Sequence, residues 1–310
     1  MSETPRAGEA FRSGFVSLIG RPNAGKSTLL NALVGQKVAI VADKPQTTRT
    51  AIQGVLTLAG AQIVFVDTPG IHKADSSLNK RLMDTVRGAV EERDALVLVV
   101  DASRVFGPED QGAIDLAGKT GTPVILALNK IDLVKDKSRL LPLIDHYRKL
   151  FDFAACVPIS AARGDGIDIL RQEILTRLPE GPAYFPEDYV TDQPERFLAA
   201  ELIREKVLAA TREEVPHSVA VIVDRWEETS KLTRIYATIH VERDGQKAIV
   251  IGAKAATLKQ IGTAARQEME RLFGVHIYLD LHVHVQPGWR EQAAYLNALD
   301  WRNSGGGPAE

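Results

Sequence analysis

One cysteine, Cys156, occurs in 310 residues, which excludes a disulfide framework and any cysteine-rich zinc site. It lies within the apolar run AACVPIS and is expected to pack in a core. No apolar stretch approaches the roughly 20 residues needed to span a bilayer. The opening MSETPRAGEAFR also lacks the apolar segment of a secretion signal, so the expected compartment is the cytoplasm. Net charge is only -2, so no global basic field advertises nucleic acid, and such a site would have to come from local clustering. What is present is the composition of a globular protein, 45% hydrophobic and 25% charged, in a chain long enough for two domains.

From Gly14 to Leu178 short apolar runs alternate with amphipathic stretches: FVSLIG then STLLNALVG, IVFVDTPG then SLNKRLMDTVRGAVEE, ALVLVVDAS then EDQGAIDLAGK, PVILALNK then SRLLPLIDHYRKL, ACVPIS then IDILRQEILTRL. The runs are apolar at nearly every position, as strands buried on both faces of a parallel sheet should be, and a doubly wound α/β domain over 14–178 is expected. A linker over 179–194 follows from the prolines at 179, 182, 186 and 194. Beyond it the rhythm changes to a helix from Glu195, two strands around a hairpin (SVAVIVDRW and TRIYATIHVER, then DGQ), a second helix to about Phe273, and the strand VHIYLDLHVHV. This predicts a smaller α+β domain over 195–301, with flexible tails at 1–13 and 302–310.

GRPNAGKS, comprising Gly20, Arg21, Pro22, Asn23, Ala24, Gly25, Lys26 and Ser27, follows a strand and opens a helix, and Thr28 comes next in the phosphate-holding stretch. That is the spacing and setting of a phosphate-binding loop. Loop N–H groups and the helix N-terminus would surround phosphates, Lys26 would reach the outer two, and the Ser27 hydroxyl could ligate Mg²⁺. DTPG (Asp67, Thr68, Pro69, Gly70) ends another strand, where Asp67 could hold Mg²⁺ through water and the Gly70 N–H could meet a γ-phosphate. NKID places Asn129, Lys130 and Asp132 after a third strand. Asp132 can accept from guanine N1 and N2, a donor pair adenine lacks, while Asn129 either bonds the base or ties the loop together. Each tetrapeptide alone also fits a surface turn; three of them at one sheet edge point to a nucleotide site.

This order, GRPNAGKS, QTTRT, DTPG, NKID and ISA, resembles a translation-factor-class GTPase domain. The resemblance implies GTP/GDP and Mg²⁺ as cofactors. It implies Thr48, with Thr47 as the alternative register, as the Mg²⁺-ligating switch threonine, and main-chain contacts from Ser160 and Ala161 to the guanine. Lys26, Thr48 and Gly70 become the catalytic candidates. Ile71 stands where Ras-like switches carry a water-orienting glutamine, so slow intrinsic hydrolysis is expected. An asparagine at the position of Asn23 accompanies K⁺ stimulation in similar proteins.

The stretch Gly245 to Gln267 contains Lys247, Lys254, Lys259 and Arg266 and no acidic residue, although residues 195–302 balance fifteen basic against fifteen acidic. In a helix from Ala255, Lys259 and Arg266 would share one face near Lys254, a face suited to phosphates. VIGAKAATLKQIG resembles the I-G-x-x-G loop of a KH domain of type II, implying RNA contacts at Ile251, Gly252, Ala253, Lys254 and Ala255 as well as Lys259 and Arg266. Ala255 stands in place of the loop's second glycine, which is sterically mild only where φ is negative. With TREEVPHSVAV, VERDGQK and FPEDYVTD, the chain is similar to the Era GTPases from about 14 to 301. That resemblance implies an RNA-binding assembly factor acting on the 3′ end of 16S rRNA and the small ribosomal subunit, a peripheral contact at the cytoplasmic face of the membrane, and a monomer.

A rival expectation is a GTPase whose second domain docks on protein or membrane; a weaker one is a GTP-driven nucleobase-modifying enzyme, which no further catalytic constellation supports. His276, His282 and His284 lack an evident third ligand for a metal, so stacking on bases or solvent exposure is expected. Trp226, Trp289 and Trp301 are expected to pack.

Overall fold

A computed structural model of the chain describes residues 10–44, 46–71, 77–212 and 215–302. The parts of the expected tails at 1–9 and 303–310 lie outside the described residues. The chain divides into two compact units. The first holds 1–39, 48–75 and 79–192; the second holds 193–310 with the short segments 40–47 and 76–78.

The first unit runs β1 (Arg12–Ile19), α1 (Lys26–Val34), β2 (Ile52–Leu58), β3 (Ala61–Asp67), α2 (Ser77–Val90), β4 (Ala95–Asp101), α3 (Pro108–Ala117), β5 (Val124–Asn129), α4 (Leu140–Leu150), β6 (Ala155–Pro158) and α5 (Ile167–Leu175). Strand order is β2-β3-β1-β4-β5-β6, with every neighbouring pair parallel except β2 with β3. Every residue of β3, β4 and β5 is buried. Alternate side chains divide between two cores: Val97 and Val99 pack with Leu29 and Leu33 of α1 and Leu170 of α5, whereas Leu96, Leu98 and Val100 pack with Val86 of α2 and Ile114 of α3. Continuous apolar strands are therefore covered by helices on both sides, as a doubly wound sheet requires. The strand order reverses around β1, so the loop after β1 lies at the switch point where such sheets bind ligands.

Two local expectations change here. β1 begins at Arg12, so residues 12 and 13 belong to the sheet and not to a tail; the Arg12 guanidinium donates to the Leu178 carbonyl at 2.6 Å. β2 is a strand that apolar runs do not reveal, because Gln53, Gly54 and Thr57 interrupt it. The proline-rich segment is also held in place. The buried Gln62 carboxamide accepts from Tyr184 N (2.7 Å) and Phe185 N (2.9 Å) and donates to Phe185 O (2.9 Å), while Val55 N donates to Val190 O at 2.7 Å. Prolines remove donors from this segment, and one side-chain amide satisfies the groups that a sheet partner would otherwise meet.

The second unit runs α6 (Glu195–Ala210), β7 (Ala220–Glu228), β8 (Thr233–Val241), α7 (Asp244–Ile251), α8 (Ala256–Phe273), β9 (Ile277–Val285) and α9 (Ala293–Ala298). β8 is central, antiparallel to β7 and parallel to β9. Its odd positions Ile235, Ala237, Ile239 and Val241 are fully buried against Leu202 and Ile203 of α6 and Ile261, Ala265 and Met269 of α8. α7 replaces the turn and apolar run expected at DGQKAIVI. Its β-branched residues disguise it, but the Gln246 side chain accepts from Glu242 N and Arg243 N at its start. Among the described residues no helix is long and apolar enough to cross a membrane.

Trp289 is fully buried and its indole N–H donates to Ser218 O at 2.9 Å. Trp289→Ala should cost about 3–5 kcal/mol, read as a matching loss of amide hydrogen-exchange protection in β7, β8 and β9 of the full chain.

Candidate functional site

The loop after β1 is shaped by residues that accept left-handed backbone. Gly25 has φ +96, and a Cβ there would fall 2.3 Å from Asn129 Nδ2, so only glycine fits. Asn23 has φ +58, a conformation asparagine tolerates better than most residues. Lys26, buried at the start of α1, donates through Nζ to the carbonyls of Gly20 and Arg21, both at 3.1 Å. Burial pushes its pKa down to about 8, with the Asp67 carboxylate opposing that effect.

Ser27, Thr48 and Asp67 converge. Ser27 Oγ is 2.6 Å from Asp67 Oδ2 and 2.8 Å from Thr48 Oγ1, and Thr48 Oγ1 is 3.1 Å from Asp67 Oδ2. Asp67 is buried, its pKa is raised by burial, and its Oδ1 has no hydrogen-bond partner. Three oxygens on three segments, one carboxylate atom buried without a partner, suit a hydrated divalent cation of the hard, oxygen-seeking kind. Of the two threonine registers, Thr48 is the one at the oxygens; the Thr47 hydroxyl donates to Lys44 O at 2.6 Å.

At the DTPG turn, the Thr68 hydroxyl donates to Leu18 O at 2.8 Å, and Pro69 is buried. Gly70 lies so close to Pro22 that a Cβ would meet it at 2.8 Å. Ile71 N donates to Gly20 O at 3.3 Å while its side chain packs in the core with Val86 and Ile114. A buried Ile71 offers no group to orient water.

The base-side loops are bound to the phosphate loop. Asn129 Nδ2 donates to Ala24 O at 2.9 Å, and Asn129 Oδ1 accepts from Ala161 N at 3.0 Å. Lys130 Nζ donates to Asn23 O at 2.6 Å. Ser160 Oγ donates to Asp132 Oδ1 at 2.7 Å, leaving Oδ2 facing Arg163 at 4.0 Å. The structure thus gives Asn129 the tying role. It also engages within the protein the two amides expected to meet guanine, since Ser160 N donates to Asp165 O at 2.9 Å. The Arg21 guanidinium forms a buried pair with Asp110 of α3 at 2.9 Å, a partner with no motif to announce it. Asp101, at the end of β4, likewise pairs with Lys130 at 2.9 Å.

In the second unit, Ile251 ends α7, Gly252 has φ +73, and a Cβ there would collide with Thr257 Oγ1 at 2.2 Å. Ala253, Lys254 and Ala255 form a single tight turn before α8. Lys254 (φ +51) and Ala255 (φ +59) are both left-handed, so the negative φ that would make the alanine harmless is not met. α8 starts at Ala256, one residue later than expected, with Ile261 and Ala265 turned inward. Lys254 and Lys259 are exposed, but Arg266 pairs with Glu270 at 2.8 Å, which neutralises it locally. His282 and His284 are exposed on β9, His276 precedes the strand, and the described residues contain no group of three or more His, Cys, Asp or Glu side chains placed to hold a metal. Cys156 is half-buried on β6 with its thiol pKa pushed up by burial. Trp226 packs edge-on to Phe273 and Trp301 lies near Phe197.

A phosphate loop at the switch point of a doubly wound sheet, followed by an α-β-β-α-α-β unit, defines a P-loop GTPase carrying a KH domain. The family described as 50S ribosome-binding GTPase matches residues 15–130, and the KH domain family matches 214–290. GTPase Era of Syntrophus aciditrophicus is 50% identical over 94% of this chain and 95% of its own length; that of Geobacter metallireducens is 49% identical over 97% and 100%. The chain belongs to the Era family of GTPases. Two Era crystal structures, one an Aquifex aeolicus variant bound to GDP and AlF4⁻, the other a complex with MgGDPNP and nucleotides 1506–1542 of 16S ribosomal RNA, each match at 40% identity. Both have a TM-score of 0.91 and cover 94% of this chain and 99% of theirs.

Two outcomes are expected from this geometry. An anionic phosphate favours protonated Lys26, whose pKa in the free protein is about 8. GTP affinity should therefore fall as pH rises above about 8, with uptake of up to one proton per nucleotide bound, measurable by titration calorimetry in buffers of differing ionisation enthalpy. Ala255→Gly removes a left-handed alanine and should stabilise the second unit by about 1 kcal/mol, seen as a higher denaturant midpoint at unchanged slope.

Proposed function

We propose that the chain is a GTP-hydrolysing, RNA-binding assembly factor of the small ribosomal subunit, acting in the cytoplasm on the 3′ end of 16S rRNA. The observation that carries the enzymatic half is the triangle of Ser27, Thr48 and Asp67 oxygens beside buried Lys26. In this reading Gly20 to Thr28 enclose the phosphates, Ser27, Thr48 and Asp67 hold Mg²⁺, and Asp132 recognises guanine. Mg²⁺ held by these oxygens would neutralise charge on the phosphates. Lys26 adds a positive charge that burial keeps from being screened, and the Gly70 N–H offers a donor to the γ-phosphate. Ile71 supplies nothing to the attacking water, so intrinsic turnover is slow; K⁺ near Asn23 is the candidate for the missing charge.

For RNA recognition the supporting features are exposed Lys254 and Lys259 at and just after a loop whose Gly252 packs tightly on Thr257 at the start of α8. That relatives include a structure with 16S nucleotides bound points the same way. Coupling between nucleotide state and RNA affinity is part of this reading. Release of Thr48 and Gly70 when the γ-phosphate leaves relaxes the loops on either side of the site. A monomer with peripheral contact at the membrane completes the proposal.

Lys254→Glu should weaken binding of a pyrimidine-rich single strand by roughly tenfold and lower the salt slope by about one or more, leaving GTP affinity unchanged. Comparing the wild type between GTP-analogue and GDP states tests the coupling, and equal RNA affinity in both would remove it. Binding to acidic vesicles, with no affinity for RNA, would instead favour a membrane-docking second domain.

A further inference from the structure

Consecutive residues at the end of β5 grip consecutive carbonyls of the phosphate loop: Asn129 Nδ2 takes Ala24 O at 2.9 Å and Lys130 Nζ takes Asn23 O at 2.6 Å. The first grip is rigid, because the amide is fixed at both ends and its residue is almost fully buried. The second is an ammonium on a flexible four-carbon stem, which alone would hold no single direction. Its direction comes from Asp101. That residue ends β4 directly opposite Asn129 in the parallel register, and Ala102 N donates to Asn129 O at 2.8 Å, so the sheet itself sets where the carboxylate begins.

The carboxylate is then fixed from both sides. Asp101 Oδ1 accepts from Ser103 N at 3.0 Å and from Ser103 Oγ at 2.5 Å, which leaves Oδ2 to face Lys130 Nζ at 2.9 Å. The Asp101 side chain is only 3% exposed, whereas Arg104, its other cationic neighbour, is largely solvated at 3.7 Å. Burial alone would raise this carboxyl's pKa; the Ser103 and Lys130 contacts outweigh it and hold the group below its ordinary value. The carboxylate is thus charged near neutral pH, as an orienting partner for an ammonium must be.

The geometry points to Asp101 as a positioning residue for nucleotide retention: through Lys130 it holds the Asn23 carbonyl, and with it the left-handed apex of the phosphate loop, against the base-binding loop. The inference rests on the nucleotide-site reading above. Asp101 touches no nucleotide in this role, so its effect is transmitted entirely by Lys130. Removing it leaves the Lys130 ammonium without its partner and free to swing from Asn23 O, so the phosphate loop loosens and bound nucleotide leaves faster.

The test is a double-mutant cycle on the full chain, read as the dissociation rate of fluorescent GDP with Mg²⁺ present. Asp101→Asn keeps the acceptor for Ser103 and removes the charge; it should speed GDP release roughly tenfold, as should Lys130→Met. The double variant should be no faster than Lys130→Met alone, while single-turnover hydrolysis of GTP bound to Asp101→Asn stays within about twofold of wild type. Multiplication of the two accelerations, or a change below twofold for Asp101→Asn, overturns the proposal. Should Asp101→Asn not fold, Ser103→Ala serves instead: it removes the hydroxyl donor to Asp101 Oδ1 and leaves the main-chain donor in place, and its smaller acceleration must vanish in the Lys130→Met background. Failure of the wild type to bind GDP at all would overturn the nucleotide reading itself, a result separable from any of these.

Discussion

The nucleotide half of the molecule depends on one buried carboxamide. Asn129 faces two loops at once, donating to the loop after β1 and accepting from the loop after β6, so a single planar group sets the spacing of three strand ends. A hydrogen bond between buried groups contributes only about 1 kcal/mol net, yet leaving either partner unpaired costs about 1–3 kcal/mol. That asymmetry is what gives the amide its authority. It also explains the backbone around it: Gly25 must lack a side chain because the amide occupies the space a Cβ would take.

Two ion pairs with buried carboxylates lie at the phosphate loop, each joining a cation of the site to an anion from another strand or helix. Arg21 with Asp110 and Lys130 with Asp101 both follow this plan, one on each flank of the loop. Lys26 differs, having only main-chain carbonyls within hydrogen-bonding reach and a carboxylate that also serves two hydroxyls. Its pKa is depressed because burial leaves the ammonium poorly solvated, a cost that a bound anion would offset. Paired cations shape the loop, and the less compensated one is left for chemistry.

Much of this was legible in the residues. Apolar runs marked β1, β3, β4, β5 and β6, because buried parallel strands leave no polar positions to confuse the pattern. The edge strand β2 is broken up by Gln53 and Thr57, and α7, ending in strand-favouring Ile249, Val250 and Ile251, carries the opposite signal to its structure, so neither was legible. Motifs placed Lys26, Ser27, Asp67, Asn129 and Asp132 at one sheet edge but said nothing of Asp101 or Asp110, whose partners lie far along the chain. Nor could spacing foretell that Arg266 would be consumed by Glu270 or that the Ser160 and Ala161 amides would be engaged by protein groups. Such pairings belong to three-dimensional neighbours, and only a folded chain reveals them.

The loop between α7 and α8 holds two successive side-chain-bearing residues in a region of backbone space that L-amino acids avoid. An unfolded chain visits that pair of conformations seldom, so the folded unit has already restricted the loop before any ligand arrives. Ordering a flexible segment on association ordinarily subtracts from affinity. Here that entropy is surrendered during folding, and a strand of RNA would meet a surface whose shape is already chosen.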